Sequence, residues 1–526
     1  MTLTLKIAPA IRPVNVQAAV MAGMGGVLAA QVLASLILAQ GHLVYAIEAP
    51  YTHLSLAQQI VHGHYGLSPD ESSAPSSSIL FPPLLAALMP VLGAAGPLLI
   101  NILSVLATGG LAAMLAEECN LPLHQLGWAR LCVLSMVMTL VLNLAGLAMT
   151  GLEHSLHVAL TVAYLLGLVR FSRRGRCDAW WFAVILVQPL LRFEAAGMLV
   201  ADVMIFLAFR RAAYAVLTAA LGLLLVGSYS WFLGSLGLPL MPTSVLSRSD
   251  WFDAAVEAHV GPFAVLIGLL RNFVENLGEF GSAQILGLVV LSWLRLDRRD
   301  RTRLMTAFFI TFVSLAQLAG GKMGARPPRY EAYVLALDFC GLAVIHGEAA
   351  IAWCARATWR RIAGFSAVLL VLYAGYAVQS LVALSLVRKE FTGPVQIHRF
   401  VTEFYRAPVA SDRPGYIDFN QPFPVLDLSG LASEEARRRR AEGEGVGWMD
   451  DLLAARGIKL AIFDNGDDPA VPPAWTAVAE LHSGNDALHH AVFYARRPED
   501  IPGIEDALSR FQRTLPSDVH LVRAKA

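Results

Sequence analysis

Charged residues are scarce in this sequence. Asp, Glu, Lys and Arg make up 15% of its 526 residues, 56% of the residues are hydrophobic, and the mean hydropathy is +0.55. A soluble domain carries about 25% charged residues, so the deficit excludes an ordinary soluble protein and indicates an integral membrane protein. The 40 basic and 40 acidic residues cancel to a net charge of zero, which argues against nucleic acid as a partner.

Cysteine is also rare. Cys132 and Cys340 fall in long apolar runs, and the other three lie in loops that we expect to be cytoplasmic: Cys119, Cys177 and Cys354. The loops on the other side and the C-terminal region contain none. A region without thiols needs no disulfide and suits an oxidising compartment.

Two further features are missing from the sequence. No small-residue cleavage site follows the first apolar run, which is too long for a signal peptide, so we expect a retained signal-anchor. No internal repeat is visible, which weakens the interpretation of the chain as a transporter.

Long apolar runs dominate the first three quarters of the chain. A membrane span needs about 20 mainly apolar residues. Two of the runs, the fifth and sixth, are too short to span alone. We expect about eleven transmembrane helices, near residues 17–44, 97–116, 128–149, 154–171, 179–190, 195–209, 213–234, 281–296, 303–320, 332–347 and 362–387.

Basic residues set the predicted orientation. Lys and Arg are concentrated in alternate loops, for example in residues 170–176 and 295–303, whereas the intervening loops contain few. Because positive loops stay in the cytoplasm, the N-terminus is predicted to be cytoplasmic. The loop at Glu117 and Glu118 departs from this pattern. We expect a multi-pass protein of a bacterial inner (cytoplasmic) membrane.

The composition changes after residue 387. Strand-like runs ("YIDF", "PVLDL", "KLAIFD", "HHAVFYA") alternate with helical patterns at 433–442 and 447–456. The sequence therefore predicts two domains: an all-α polytopic membrane bundle over residues 1–387, and a periplasmic α/β domain over residues 388–526. The arginine-rich run within 433–442 is either a solvated helix face or a contact with lipid headgroups.

The first outer loop, residues 45–96, begins "YAIEAPYTHLSLAQQIVHGHYG". Residues 52–62 are predicted to form an amphipathic helix on the membrane surface, capped by Thr52 and ended by Gly63. The next apolar segment, "FPPLLAALMPVLG", is too short to span and is expected to pack at the interface. Glu48 is either a solvated interfacial acid or a general base that accepts a proton from an attacking hydroxyl.

Other acids and bases are predicted at the same membrane face. Arg192 and Glu194 join two short apolar helices, so they either line a water-filled cavity or form a structural salt bridge. Glu153 lies at the outer end of the third span, where simple helix capping is the alternative role. The turn "AGGKMGARPPRYEAY" carries three cations that suit a lipid phosphate, or else forms an ordinary exposed loop.

The order of these motifs resembles the GT-C superfamily of polyprenyl-phosphate-sugar glycosyltransferases, in particular the bacterial branch around the terminal arabinofuranosyltransferases. The matching elements are "IEAPYTHLSLAQQIVHGHYGLSP", "TGLEHS", "LRFEAAG", "LPLMPTSV", "AGGKMGARPPRY" and "PVLDLSGL". The resemblance covers nearly the whole chain. Each motif is short, and their order carries the likeness.

The resemblance implies roles for individual residues. It implies Glu48 as the catalytic base, and Glu153 and Glu194 as a second acid that would serve the acceptor or a metal. Further contacts in the first loop would come from Tyr51, His53 and His64. The implied phosphate-binding cations are Arg192, Lys322, Arg329 and, on a weaker match, Arg326.

The chain also departs from that family. The usual aspartate pair of the first loop is Ile47-Glu48, and the acid of the Gly-Gly-Asp element is Lys322. Fewer acids disfavour a bound divalent cation, although Mg, Mn or Ca stays open because some GT-C enzymes use one. An altered donor or an inactive paralogue also stays open.

These observations predict an inverting membrane glycosyltransferase. It would move a sugar, with arabinofuranose implied only by the resemblance, from a polyprenyl-phosphate donor to a glycan, lipid or protein acceptor. The expected partners are the donor, the acceptor and membrane lipids. Two alternatives remain: a transporter or flippase for a lipid-linked sugar, and a non-catalytic scaffold whose C-terminal domain binds glycan.

Overall fold

The structure is a computed structural model that describes residues 15–246, 262–443, 445–464, 470–483 and 490–524. It is mostly helical, at 69%, with a small C-terminal sheet domain. The predicted combination of a membrane bundle and a C-terminal α/β domain is therefore confirmed at this level.

The bundle is built from helices of very different lengths. The α-helices up to residue 320 are α1 Val16–Leu38, α2 Ala49–Val61, α3 Phe81–Leu92, α4 Gly96–Glu118, α5 Gly127–Val141, α6 Leu144–Met149, α7 His154–Arg174, α8 Ala179–Leu191, α9 Ala196–Ala208, α10 Ala212–Ser235, α11 Thr243–Leu246, α12 Pro262–Leu277, α13 Ser282–Trp293 and α14 Arg301–Gly320. Those that follow, up to the first strand, are α15 Ala332–Arg356, α16 Trp359–Leu372, α17 Ala374–Ala377, α18 Gln379–Thr392 and α19 Pro394–Arg399.

Every one of the eleven predicted runs contains helix. Among the described residues, seven helical segments are long and apolar enough to cross a membrane: Val16–Leu38, Phe81–Glu118, Leu123–Val141, His154–Arg174, Ala212–Ser235, Arg301–Gly320 and Ala332–Arg356. The count becomes eight if α16 and the helical stretch Ala374–Tyr405, bent by 82° from it, form one span. The number eleven stays a prediction.

Glycines let the bundle helices approach closely. A Cβ on Gly23 of α1 would lie 2.4 Å from the Cys132 carbonyl oxygen of α5, and one on Gly109 of α4 would lie 2.4 Å from the Met24 sulfur of α1. Small residues at such crossings are what hold helices together in lipid, where burial of apolar surface gives no advantage.

The first outer loop differs from its prediction. Its helix, α2, begins at Ala49 and not at 52, with Pro50 in its first turn and no side-chain cap from Thr52. All residues from Pro50 to Ala57 are buried, so α2 is covered by protein and does not lie flat on a surface. The predicted interfacial segment, α3, continues through a short 3₁₀ turn into α4 as one helical segment of 38 residues.

The C-terminal domain is a six-stranded mixed sheet. Its strands are β1 Val409–Ser411, β2 Val425–Asp427, β3 Leu460–Asp464, β4 Thr476–Ser483, β5 His490–Ala495 and β6 Val519–Arg523, in the order β2-β1-β3-β5-β4-β6. The pairs β1–β2 and β1–β3 are parallel, and the remaining pairs are antiparallel.

Helices cover both faces of this sheet. They are α20 Pro414–Asp418, α21 Glu434–Ala441, α22 Gly447–Ala455 and α23 Ile501–Gln512, preceded by a π-helix, Phe400–Tyr405. Because side chains alternate along a strand, Ile462 packs under α23 while Phe463 packs under α22. The predicted helices at 433–442 and 447–456 correspond to α21 and α22.

One predicted strand is wrong. The run "YIDF" lies in and just after α20. Pro414 precedes it, and proline suits the first turn of a helix because its φ is fixed and it has no N–H to satisfy. The buried Ile417 then gives the apolar period that was interpreted as strand.

The C-terminal domain is tied to the bundle by hydrogen bonds from several elements. Glu71 in the first loop accepts from the backbone N–H of Glu434 at 2.8 Å and from Arg456 Nη2 at 2.9 Å. Arg388 of α18 donates through one guanidinium nitrogen to the carbonyl of Leu38 at the end of α1, at 2.8 Å, and through another to Asp518 of the C-terminal domain. These contacts hold the carboxyl end of β1 and helix α20 over the start of α2.

Candidate active site

Glu48 sits at the N-terminal end of α2, and both oxygens of its carboxylate are bound by the C-terminal domain. Oε1 accepts the backbone N–H of Gly415 at 2.7 Å, and Oε2 accepts Arg413 Nε at 2.8 Å. The Glu48 side chain is 18% exposed and that of Arg413 is 32% exposed. Charge-assisted bonds of this kind fix the carboxylate without burying it.

Glycine is required where the chain passes this carboxylate. A Cβ on Gly415 would lie 2.6 Å from Glu48 Cγ and 2.9 Å from Thr52 Oγ1. Both contacts are shorter than van der Waals distance, so any other residue would displace Glu48 or α20. The turn therefore sets the position of the acid.

A second ionic centre is buried beside the first. Arg192, which is 5% exposed, donates to Glu153 Oε1 at 2.8 Å, to Glu194 Oε1 at 2.6 Å and to Ser77 Oγ at 2.7 Å. Glu153 is fully buried. Of the two alternatives for Arg192 and Glu194, the structure shows the salt bridge, and it also places both residues on the wall of a cavity.

The surroundings of this centre are aromatic and imidazole rings. The Arg192 guanidinium lies 5.0 Å from the centre of the Tyr330 ring, as a cation–π contact. His53 Nδ1 lies 3.8 Å from Glu153 Oε2, and its other ring nitrogen lies 3.3 Å from Ser76 Oγ. Buried and half-buried polar groups thus surround one guanidinium.

Two cavities adjoin at Arg192. The smaller, of about 220 Å³, is lined by Glu48 and, among others, His53, Arg329 and Arg413. The larger, of about 520 Å³, is lined by Glu194 and Lys322 together with apolar side chains. Four residues line both cavities: Ser77, Arg192, Ser244 and Tyr330. The Glu48 carboxylate and the Lys322 ammonium group therefore line two different cavities that share one wall.

The remaining predicted residues are divided between site and surroundings. Arg329 lines the smaller cavity and donates to Tyr330 Oη at 3.2 Å. Arg326 is exposed and lines neither of the two cavities. Tyr51 is buried and its hydroxyl accepts the N–H of Tyr45 at 3.0 Å, so it supports the loop from within.

The prediction for His64 was a loop contact at the site. Its Nε2 lies 3.2 Å from the Glu71 carbonyl oxygen, within the first loop and away from both cavities. The glycine beside it, Gly66, has no room for a Cβ, which would meet the same carbonyl at 2.3 Å. His64 therefore closes the turn that carries Glu71.

The carboxylates present do not fit a divalent cation. Among the residues that the structure describes, no three His, Cys, Asp or Glu side chains converge as metal ligands. Glu48 is bound by Arg413, and Glu153 and Glu194 are both bound by Arg192. A cation ligand set that used these three acids would have to displace a guanidinium group from each of them.

Sequence reasoning missed Ser77 and Tyr330 in the shared cavity wall, and it missed the two residues that bind Glu48, which are Arg413 and Gly415. They lie 365 and 367 residues from Glu48 in the chain. The only local signal is a basic residue in a Pro-Gly turn at the carboxyl end of a strand, a place where polar groups of α/β sheets often meet ligands. Nothing local joins that turn to the first loop.

Comparison with known proteins gives limited overlap. A family model described as "Domain of unknown function (DUF8728)" matches residues 383–498, which begin within α18 and include the sheet as far as β5. No curated protein sequence matches the chain. The matched segment contains Arg413 and Gly415, so the turn that binds Glu48 lies within it.

Solved structures with a similar overall fold include those of two proteins. The oligosaccharyltransferase of Archaeoglobus fulgidus, in complex with Zn and sulfate, has 12% identity and a TM-score of 0.47, over 95% of this chain and 75% of that one. ArnT from Cupriavidus metallidurans, in the apo state, has 13% identity and a TM-score of 0.47, over 89% of this chain and 98% of that one. Likeness this distant assigns no residue roles here.

Proposed function

We propose that this chain is an integral membrane glycosyltransferase of the GT-C type. It transfers a sugar from a polyprenyl-phosphate donor to a hydroxyl of a glycan, lipid or protein acceptor, with inversion at the anomeric carbon. The observation that carries the proposal is the pair of adjoining cavities, with the Glu48 carboxylate on one and the Lys322 ammonium on the other.

The larger cavity suits the donor. Its lining combines the apolar side chains of Met241, Val245 and Leu269 with a polar part that contains Lys322 and three carboxylates, Glu194, Glu275 and Glu279. Of these carboxylates, Glu194 is paired with Arg192 and Glu275 with Arg271. A polyprenyl chain needs an apolar surface, and a phosphate needs a cation that is not already neutralised. Lys322 is exposed, so its ammonium group is accessible to a phosphate.

Arg192 has a different role in this proposal. Its guanidinium already binds two carboxylates, so it offers a phosphate no net positive charge. It instead holds Ser77 and Tyr330 in the wall between the cavities. The direct phosphate contacts are assigned to Lys322 and, from the side of the smaller cavity, to Arg329.

The smaller cavity suits the acceptor hydroxyl. Its oxygen attacks the anomeric carbon from the face opposite the phosphate while its proton passes to the Glu48 carboxylate. The bond between the anomeric carbon and the phosphate oxygen breaks, and the electron pair leaves with the polyprenyl phosphate. The cations on the donor side stabilise the charge that develops there.

The finer parts of the proposal rest on the sequence. Lys and Arg bias favours a cytoplasmic N-terminus and a C-terminal domain, starting near residue 388, on the opposite side. The family resemblance implies that the membrane is a bacterial inner membrane and that this domain is periplasmic. Arabinofuranose as the transferred sugar is supported only by the order of the motifs. Glu48 would act as a single acid, whereas the first loops of the family that the chain resembles carry two aspartates.

A direct assay tests the base. Purified protein is supplied with labelled polyprenyl-phosphate sugars, and transfer by wild type is compared with that by Glu48→Gln. We expect transfer to fall by about 10²- to 10⁴-fold, the usual contribution of a general base. Asp70→Asn, an exposed acid of the same loop, is the matched control and should keep full activity. Equal rates for Glu48→Gln and wild type would exclude Glu48 as the base.

Transport of a lipid-linked sugar is the second candidate, since two carboxylates are buried within the bundle. Asp202 is bonded to the Tyr164 hydroxyl, and Asp338 accepts Ser314 Oγ at 3.2 Å. Ionisable groups inside a membrane mark substrate or proton paths in many transporters. Movement of the lipid across liposomes with no covalent product would favour this function over transfer.

A further inference from the structure

A third cavity, of about 660 Å³, lies in the C-terminal domain. It is bounded by the carboxyl end of β1, helix α21, the start of α22 and strand β3. Its lining includes Asp412, Ser429, Arg440, Trp448, Met449 and Phe463. The cavity is larger than the one that holds Glu48, so it can accept more than one small ring.

This cavity adjoins the one that holds Glu48. Asp412, Arg413 and Ser429 line both of them. Arg413 is therefore at the boundary, with its guanidinium on Glu48 and its neighbour Asp412 on the same shared wall. A molecule that fills the cavity of the C-terminal domain would present its end to the Glu48 carboxylate.

The lining has a definite chemical character. Trp448 and Phe463 offer apolar ring surface, whereas Asp412 accepts hydrogen bonds and Arg440 donates them. The charges of Asp412 and Arg440 balance, and Arg413 is paired with Glu48 and Glu390, so the lining offers a phosphate no net positive charge. The charged groups also disfavour an acyl chain. Neutral sugars match both the polar and the aromatic side chains of the lining. Their hydroxyl groups donate and accept hydrogen bonds, and their C–H faces pack on aromatic rings.

We propose that this cavity is an acceptor subsite for a neutral oligosaccharide, whose terminal sugar reaches Glu48 past Asp412 and Arg413. The inference rests on the proposed function and makes it more specific, because it selects a glycan among the glycan, lipid and protein acceptors. The C-terminal domain then holds the acceptor while the bundle holds the donor.

The test compares two arginines of one helix. Arg440 lines the cavity, and its Nη2 also donates to the Leu428 carbonyl at 3.1 Å; Arg438 is exposed on the same helix and is absent from the lining. Full-length protein in detergent is assayed with disaccharides and hexasaccharides of glucose, mannose, galactose and arabinose. We expect Arg440→Gln to raise the KM of the accepted hexasaccharide about tenfold, with the donor KM unchanged.

The control and the disaccharide complete the comparison. Arg438→Gln should behave as wild type, and a disaccharide, too short to span both cavities, should lose little in Arg440→Gln. An unchanged hexasaccharide KM in Arg440→Gln would overturn the inference while leaving the glycosyltransferase proposal intact. A kcat loss with unchanged KM would do the same, since it indicates a defect at the chemical step.

Binding without donor separates the two proposals. The quenching of tryptophan fluorescence by each hexasaccharide is measured on the full chain. Saturable binding that weakens about tenfold in Arg440→Gln supports the subsite even if no sugar is ever transferred, in which case the proposed function alone fails. No binding by wild type of any of the hexasaccharides at 10 mM, roughly the weakest affinity a useful subsite could have, would overturn the subsite.

Discussion

Two ionic centres lie side by side in this protein, and they differ in burial and in the parts of the fold that they connect. The Arg192 centre is buried, has two carboxylates for one guanidinium, and is formed entirely within the bundle. The Glu48–Arg413 pair is partly exposed and joins the bundle to the C-terminal domain, and its guanidinium also lies 3.9 Å from the buried Glu390 of α18. The first resembles a structural centre, and the second resembles a contact that substrate can replace.

The difference follows from the cost of separating charges. A guanidinium surrounded by protein cannot leave its carboxylates without exposing uncompensated charge to a low dielectric. A pair that is 18% and 32% exposed can exchange its partner for water or for a substrate hydroxyl at little cost. Catalysis needs a partly exposed pair, because the carboxylate of the base must release one hydrogen bond before it can accept a proton.

The largest effect is expected from Arg192→Met. The substitution leaves the fully buried Glu153 without its cation, which costs about 3–5 kcal/mol for a buried pair. Thermal unfolding in detergent should show a fall in Tm of at least about 5 °C, or no folded protein. Arg271→Met, which removes an exposed pair with Glu275, should leave the Tm nearly unchanged. Similar Tm values for the two variants would remove the distinction between the centres.

Gly415→Ala should act on activity more than on stability. The added Cβ would lie 2.6 Å from Glu48 Cγ and displace the carboxylate from its place on the smaller cavity. Displacement of a catalytic group by about 1 Å lowers rates up to about 10²-fold, so we expect a loss of transfer of at least tenfold. Gly503→Ala in α23, where nothing lies within 4 Å of the new Cβ, is the control. Full activity in Gly415→Ala would show that the turn does not position Glu48.

Lys322→Gln and Arg326→Gln compare two cations of one turn for their effect on donor binding in the larger cavity. Only Lys322 lines the larger cavity, although both cations belong to the same predicted turn. Loss of a charge-assisted bond to phosphate should raise the donor KM about tenfold in Lys322→Gln, and Arg326→Gln should change it less than twofold. Equal effects of the two substitutions would point to a diffuse basic surface.

The smallest effect is expected from Asp418→Asn, at the end of α20. Burial raises the pKa of Asp418 to about 7, above its unfolded value of 3.8. The protonated carboxyl therefore stabilises the folded state at low pH, and this stabilisation is lost as the pH rises through 7. The Tm of wild type should fall more between pH 5 and pH 8 than that of Asp418→Asn, by about 2 °C. Parallel pH curves would show that this carboxyl does not titrate there.

Local signals explain which parts of the fold could be predicted. Apolar runs of about 20 residues form helices in any membrane protein, since every backbone group must bond within its own segment, and all eleven runs contain helix. Capping is also local, yet Thr52 was a misleading signal because Pro50 lets α2 start three residues earlier. The "YIDF" run was misassigned for a local reason as well, because the apolar periods of a strand (2) and of a helix (3.6) are hard to separate over four residues.

The site required information that no local pattern contains. Acids and bases at one membrane face could be predicted from the alternation of loops, but their pairing could not. Arg192 pairs with both Glu153 and Glu194, so Lys322 is the cation that is more accessible to a phosphate. The partner of Glu48 came from the C-terminal domain, whose place over the bundle depends on contacts between segments more than 300 residues apart.

The bond between Glu71 and the start of α21 has a consequence for biosynthesis. The first amide groups of a helix need acceptors from outside it, and Ser433 supplies one for Ala436 while Glu71 supplies one for Glu434. That carboxylate is translated 363 residues before the amide that it receives. Helix α21 therefore gains this capping acceptor only when its domain packs against the first loop, which is synthesised long before it.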